Sequence, residues 1–132
     1  DNALALYPDN TLALNNYAYF LSENDGDLDR AAEMSLKSLD GDNSSNATYL
    51  DTYAWILHKK GENEEARKYQ ASAVEEAAKE GNEHAELYEH YGDILAALGE
   101  KSEALEAYDK ALALEPENHD IQQKIKTLKN AK

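Results

Sequence analysis

The stretch AELYEHYGDILAALGEKSEALEAYDKALALEPEN, residues 85–118, decides the fold. Two apolar segments of helical period, 87–98 and 104–114, are separated by Gly99 and an acidic turn, and Pro116 stops the second. Small residues at Gly92, Ala104 and Ala111 mark where two helices must approach closely. Tyr88, Tyr91, Leu95 and Tyr108 supply the bulk between them. One helical hairpin of this kind cannot bury its apolar face alone, so the stretch predicts a stack of such units.

The same punctuation recurs on both sides. Residues 47–84 read as a second unit, with a leading helix over 47–60 whose packing face holds Leu50, Tyr53, Ala54 and Leu57 and which Gly61 closes. Its second helix, from 64 to about 80, is expected to be about one turn longer than its counterparts, supported by the helix formers from Glu75 to Lys79. Residues 11–46 read as a first unit: Asn10 as N-cap, a leading helix over 11–24 with Leu14, Tyr17, Ala18 and Leu21 facing inward, a turn at Asp25-Gly26-Asp27, and a second helix over 28–39 presenting Leu28, Ala31 and Leu39. Ser35 stands in that helix where Tyr108 stands in the third unit. The polar linker 40–46 lacks a proline and is expected to be the most mobile interior point. Residues 1–10, with Ala3-Leu4 and Pro8, repeat the ending of 85–118 and read as the tail of a preceding unit in a longer array. At the other end Asn118 is placed to cap a last helix over 120–129, with Ile121, Ile125 and Leu128 at helical spacing among polar residues, as the end of a stack requires. The expected fold is all-α throughout 1–132.

Tyr88, Tyr91-Gly92, Leu95, Ala104, Tyr108 and Pro116 fall in order on the slots W-x2-L-G-x2-Y, A-x3-F and P, so residues 85–118 closely resemble a tetratricopeptide repeat. The resemblance covers essentially the whole chain, strongest in the third unit and weakest in the first. It implies a right-handed α-solenoid of three helix-turn-helix units plus a C-terminal capping helix, with leading helices lining a concave wall suited to a segment of another protein. NNYAYFLSENDGDLDRAAEMS and TYLDTYAWILHKKGENEEARKY, followed by EHYGDIL, are similar to the C-terminal part of long bacterial tetratricopeptide proteins, many exported or lipid-anchored. That similarity implies the cell envelope or periplasm, with the cytoplasm as the alternative.

Composition narrows the partners. Thirteen basic residues against 27 acidic ones give a net charge of -14, which repels nucleic-acid phosphates and anionic headgroups. No apolar run approaches the ~18 residues of a membrane span, and the absence of cysteine excludes disulfides and thiolate metal sites.

The second, fifth, ninth and twelfth places of each leading helix are expected on the concave side: Leu12, Asn15, Tyr19 and Ser22; Thr48, Asp51, Trp55 and His58; Glu86, Glu89, Asp93 and Ala96. Tyr19 and Trp55 share a register and would anchor a partner through large area and few rotors, or else pack on the neighbouring leading helix. Glu86, Glu89 and Asp93, with Asp51 beside them, form an acidic stripe that is either a solvated face or a selector for lysine and arginine. The expected site is therefore Asn15, Tyr19, Asp51, Trp55, His58, Glu86, Glu89 and Asp93, holding an apolar-plus-basic segment. Relatives that bind chaperones hold a C-terminal carboxylate with lysine, asparagine and arginine. This chain offers Asn15, Tyr19, Thr52, Glu86 and His90 instead, which argues against that role.

No catalytic constellation is legible. His58, His84, His90 and His119 are scattered and read as exposed or capping; no H-E-x-x-H, G-x-S-x-G, P-loop or dinucleotide fingerprint occurs. Asp40, Asp42, Ser44 and Asp51 echo a calcium loop, but Ser45 occupies the place of the required glycine. Neither cofactor nor metal is expected. The reading is a non-catalytic protein-interaction module, with a structural or self-assembly segment of a larger repeat protein as the alternative and a regulatory segment beside an upstream enzyme as a further one.

Overall fold

The computed structural model describes residues 11–23, 27–39 and 46–130, with side chains from residue 15 onward. The expected tail at 1–10, the Asn10 cap, Gly26 and the linker with Asp40, Asp42 and Ser44 lie outside the described residues. Within them every element is a helix: α1 Thr11–Glu23, α2 Leu28–Ser38, α3 Ala47–Lys59, α4 Asn63–Glu80, α5 Ala85–Ala97, α6 Lys101–Leu114 and α7 His119–Asn130. The pairs α1/α2, α3/α4 and α5/α6 form three hairpins, and α7 closes the row. This is the all-α solenoid that the repeated punctuation requires.

Local chemistry sets the helix ends. The side chains of Asp27, Asn46 and Asn118 accept from the backbone N–H three residues on, at 3.2, 3.1 and 3.1 Å, satisfying donors that the first turn leaves orphaned. At the hairpin turns Gly61 and Gly99 take φ of 86° and 81°, and the next residue's N–H reaches back five places, Glu62 to Leu57 and Glu100 to Leu95, each at 2.9 Å. Only a residue without Cβ enters that conformation at no steric cost. The second helix of the middle hairpin is the longest, 18 residues against 11 and 14 for α2 and α6.

Small residues carry the hairpin contacts. Ala18 packs in one cluster with Ala31, Ala54 in another with Ala66, and Ala104 in a third with Tyr108, and each of these alanines is fully buried. The approach is close at Gly92, where an added Cβ would lie 2.4 Å from the Tyr108 ring. Between hairpins a second set does the work. Ile56 of α3 joins the core of the first hairpin with Ala18, Ala31 and Met34; Ile94 of α5 joins Ala54, Leu57 and Ala66; and Leu87 of α5 packs with Leu50 and Ala73. Ile121 and Ile125 of α7 do the same for α5/α6. Each leading helix thus supplies apolar surface to the hairpin before it, which makes the stack continuous. No helix among the described residues is long and apolar enough to cross a membrane.

Candidate binding wall

The expected site residues sit on the leading helices α1, α3 and α5, and the structure divides them into three kinds. Tyr19 and Glu86 line an open hollow. Asn15 and Asp51, expected on an open surface, are only 4% and 6% exposed, because adjacent leading helices close around the fifth place of each. Trp55, His58, Glu89 and Asp93 are half-buried and engaged with neighbours. Trp55 stacks on His90 of the next leading helix with centroids 4.0 Å apart, and its other neighbours are the His58 ring at 5.1 Å and the Lys59 ammonium at 5.7 Å. That is the packing arrangement the sequence left as an alternative to a free anchor. Of the other wall positions, Thr48 is exposed, Ser22 buried and Ala96 half-buried, and the Leu12 side chain lies outside the described residues.

Two members of the acidic stripe are paired from within. Lys124 of α7 reaches Glu89 Oε2 at 2.7 Å and Asp93 Oδ2 at 3.0 Å, and the Tyr108 hydroxyl donates to Asp93 Oδ1 at 2.6 Å. Burial works against the charged ammonium, but the bonds and charges of Glu89 and Asp93 outweigh it and raise the Lys124 pKa. Burial and the bond to Asp93 raise Tyr108.

His90 corrects the reading of the histidines as exposed or capping. It is 6% exposed, and its Nδ1 lies 2.8 Å from Asp51 Oδ1, an oxygen that also accepts from Gln70 Nε2 at 2.8 Å. The same Gln70 amide donates to the Leu87 carbonyl at 2.8 Å, joining α3, α4 and α5 in one buried network. Desolvation opposes the imidazolium, while the Asp51 bond and the charges of Asp51, Glu86 and Asp93 overcome it, so the His90 pKa is raised above 6.5. His58 meets Asn63 at 2.6 Å, while His84 and His119 are exposed.

These contacts form a ladder with one rung per pair of leading helices. The residue at the fifth place of one helix meets the residue at the sixth place of the next: Asp51 with His90, and Glu89 with Lys124. In the first rung those places hold Asn15 and Thr52. The Thr52 hydroxyl donates back to the Thr48 carbonyl at 3.1 Å, and Asn15 Oδ1 is buried without a hydrogen-bond partner. Beside it opens a cavity of about 200 Å³ lined by Asn15, Tyr19, Thr48, Asp51, Thr52 and Glu86, among others. Burial first, then the charges of Glu86 and Glu23, raise the Tyr19 phenol, whose hydroxyl donates to Glu23 at 3.2 Å. Glu23 in turn is ion-paired with Lys59, which lowers its pKa and ties the end of α1 to α3.

The cavity can therefore hold a hydrogen-bond donor or a cation. The ligand atoms of Asp51, Glu86 and His90 lie within 4.8 Å of one another, a grouping that the scattered sequence positions did not suggest. His90 Nδ1 and Asp51 Oδ1 are already bonded to each other, which makes the trio a network before it is a coordination sphere. A larger groove of about 420 Å³, lined by Val74, Tyr88, Tyr91 and Lys110, lies between α4, α5 and α6. Burial and a bond to Glu83 push the Tyr88 phenol there up to about 12. The sequence missed His90, Gln70 and Lys124 as participants. The signal that could have found them was the pairing of the fifth place with the sixth place one helix on.

Family models described as tetratricopeptide repeat match residues 85–118 and 47–80, together just over half of the chain. Among solved structures, the first such domain of Spaghetti (RPAP3), bound to the HSP90 peptide SRMEEVD, superposes with a TM-score of 0.79 at 21% identity, covering 90% of each chain. The second domain of human RPAP3, in complex with the HSP70 peptide SGPTIEEVD, gives 0.78 at 20% identity, covering 92% of this chain and 96% of that one. A thermophilic protein of Thermus thermophilus gives 0.76 at 18% identity over 96% of this chain and 68% of its own. No curated protein matches the chain.

Proposed function

Since the chain belongs to the tetratricopeptide repeat family, we propose that it is a non-catalytic protein-interaction module that holds a peptide or protein segment along the wall made by α1, α3 and α5. The observation that carries this reading is the cavity between those helices, open beside Tyr19 and walled by Asp51 and Glu86. Tyr19 brings an aromatic surface with few rotors to freeze, and the two carboxylates bring negative potential. A chain of net charge -14 whose wall bears these groups selects an apolar-plus-basic segment. Acidic peptides of the kind bound by the RPAP3 domains would meet Asp51 and Glu86 across the cavity and be repelled.

The test is to capture partners from the source cells, reduce the bound region to a peptide, and map its footprint by amide exchange. Protection at the Tyr19, Asp51 and Glu86 turns supports the reading. A footprint confined to α2, α4 and α6 removes it. A monomer-to-oligomer transition by light scattering at micromolar protein, with no peptide bound, would favour the structural role instead.

A further inference from the structure

The ladder of leading-helix rungs gives an internal precedent for what the cavity receives. Where two rungs are complete, an acceptor at the fifth place meets a nitrogen cation or donor at the sixth place of the next helix: His90 on Asp51 at 2.8 Å, Lys124 on Glu89 at 2.7 Å. Where the first rung should close, the acceptor is present and its partner is not. Asn15 is 4% exposed with an unpartnered Oδ1, and Thr52 turns its hydroxyl to its own helix. The cavity lies at this gap, with Asp51 and Glu86 on the same walls.

We infer that the open first rung is the receptor for a lysine ammonium of the bound segment, which takes the place that Lys124 takes two rungs along. Asn15 Oδ1 accepts one N–H of the ammonium, and Glu86 supplies the countercharge beside Asp51, whose Oδ1 is already bonded to His90 and Gln70. This inference rests on the groove reading above and assigns its basic contact to one place. It also moves that contact away from Glu89 and Asp93, which Lys124 already occupies. Turning the Asn15 amide over would offer N–H groups to an anion, but such an anion would face two carboxylates in the cavity. A buried acceptor with no partner is costly, and an ammonium with three donors is suited to relieve it.

The experiment uses the chain with nitrogen-labelled amides and three acetylated, amidated tripeptides: leucyl-lysyl-leucine, its Nε-acetyl-lysine form, and the form with glutamate for lysine. The expected result is that the lysine peptide shifts the Asn15 side-chain NH2 and the Thr52 amide, and that neutralising the lysine weakens binding about tenfold, the effect of one charge-assisted hydrogen bond. Thr52→Lys, which supplies the missing member from within, should raise the melting temperature and abolish the peptide shift at Asn15. Asn15→Leu should abolish the lysine peptide's shift of the Thr52 amide while remaining folded by circular dichroism, so the assignment does not depend on one variant. Equal binding of the acetylated peptide overturns the inference. Shifts elsewhere on α1, α3 and α5 that spare Asn15 and Thr52 overturn it while leaving the groove reading in place. No shift on any leading helix removes both. Zinc chloride that shifts Asn15, Asp51 and His90 together and displaces the peptide would make the cavity a metal site and also overturn it.

Discussion

Gly92→Ala is a sharp test of the close approach on which the third hairpin depends. In an ordinary helix this change is favourable by ~1 kcal/mol, because alanine loses less conformational freedom than glycine. Here the new Cβ would stand 2.4, 2.5 and 2.9 Å from three atoms of the Tyr108 ring. Tyr108 is 4% exposed and fixed at its far end by the bond to Asp93, so the ring has little room to swing. Overpacking of a tight core costs ~1–3 kcal/mol, and loss of the charge-assisted bond from the Tyr108 hydroxyl adds ~1 kcal/mol or more. Set against the helix-propensity gain, the net destabilisation is ~2 kcal/mol, a fall in melting temperature of ~7 °C for a domain of this size. Thermal unfolding followed by circular dichroism measures it. The companion variant Tyr108→Leu removes the clash, so Gly92→Ala should cost far less on that background, a coupling that a double-mutant cycle reads directly. A melting temperature that rises on Gly92→Ala, as at an ordinary helical glycine, would refute the reasoning.

Four further outcomes follow from the polar contacts between helices. The His90 pKa is raised in the folded protein, so the stability contributed by its pair with Asp51 is complete below the unfolded value of 6.5 and is lost as pH climbs through the folded value; His90→Gln should flatten that part of a denaturation-against-pH profile. Trp55, the single tryptophan, is stacked on the same ring, so its emission should change over the same pH range and cease to do so in His90→Gln. Gln70→Leu removes two buried hydrogen bonds and leaves Asp51 under-satisfied, with an expected cost of ~2–3 kcal/mol by urea denaturation. Lys124→Met frees Glu89 and Asp93 at a part-exposed site, so it should cost only ~1 kcal/mol at low salt, and less near ~1 M salt, where charges are screened within ~3 Å.

The sequence by itself determined the helices and their pairing. Glycine after a leading helix, alanine or glycine at each close approach and asparagine before the last helix are local requirements of backbone geometry, and local requirements are written in local residues. Ala18, Ala54 and Gly92 could be aligned by eye for that reason. What joins one hairpin to the next is not local: Ile56, Leu87 and Ile94 lie on faces that periodicity alone left unassigned, and only the stacked arrangement shows that they serve the preceding core. The candidate wall shows the same limit more strongly. Its register was legible, because every fifth place is where helical spacing puts it, but exposure was not, since burial of Asn15 and Asp51 depends on how near the next leading helix comes. Nor could spacing reveal that Lys124 crosses to Glu89 or that Gln70 and His90 converge on one oxygen of Asp51. Side chains separated by 19 to 39 residues in the chain meet there only because the solenoid repeats its turn, and tertiary packing alone sets which acceptors are satisfied and which, Asn15 Oδ1 and Gln70 Oε1 among them, are left open.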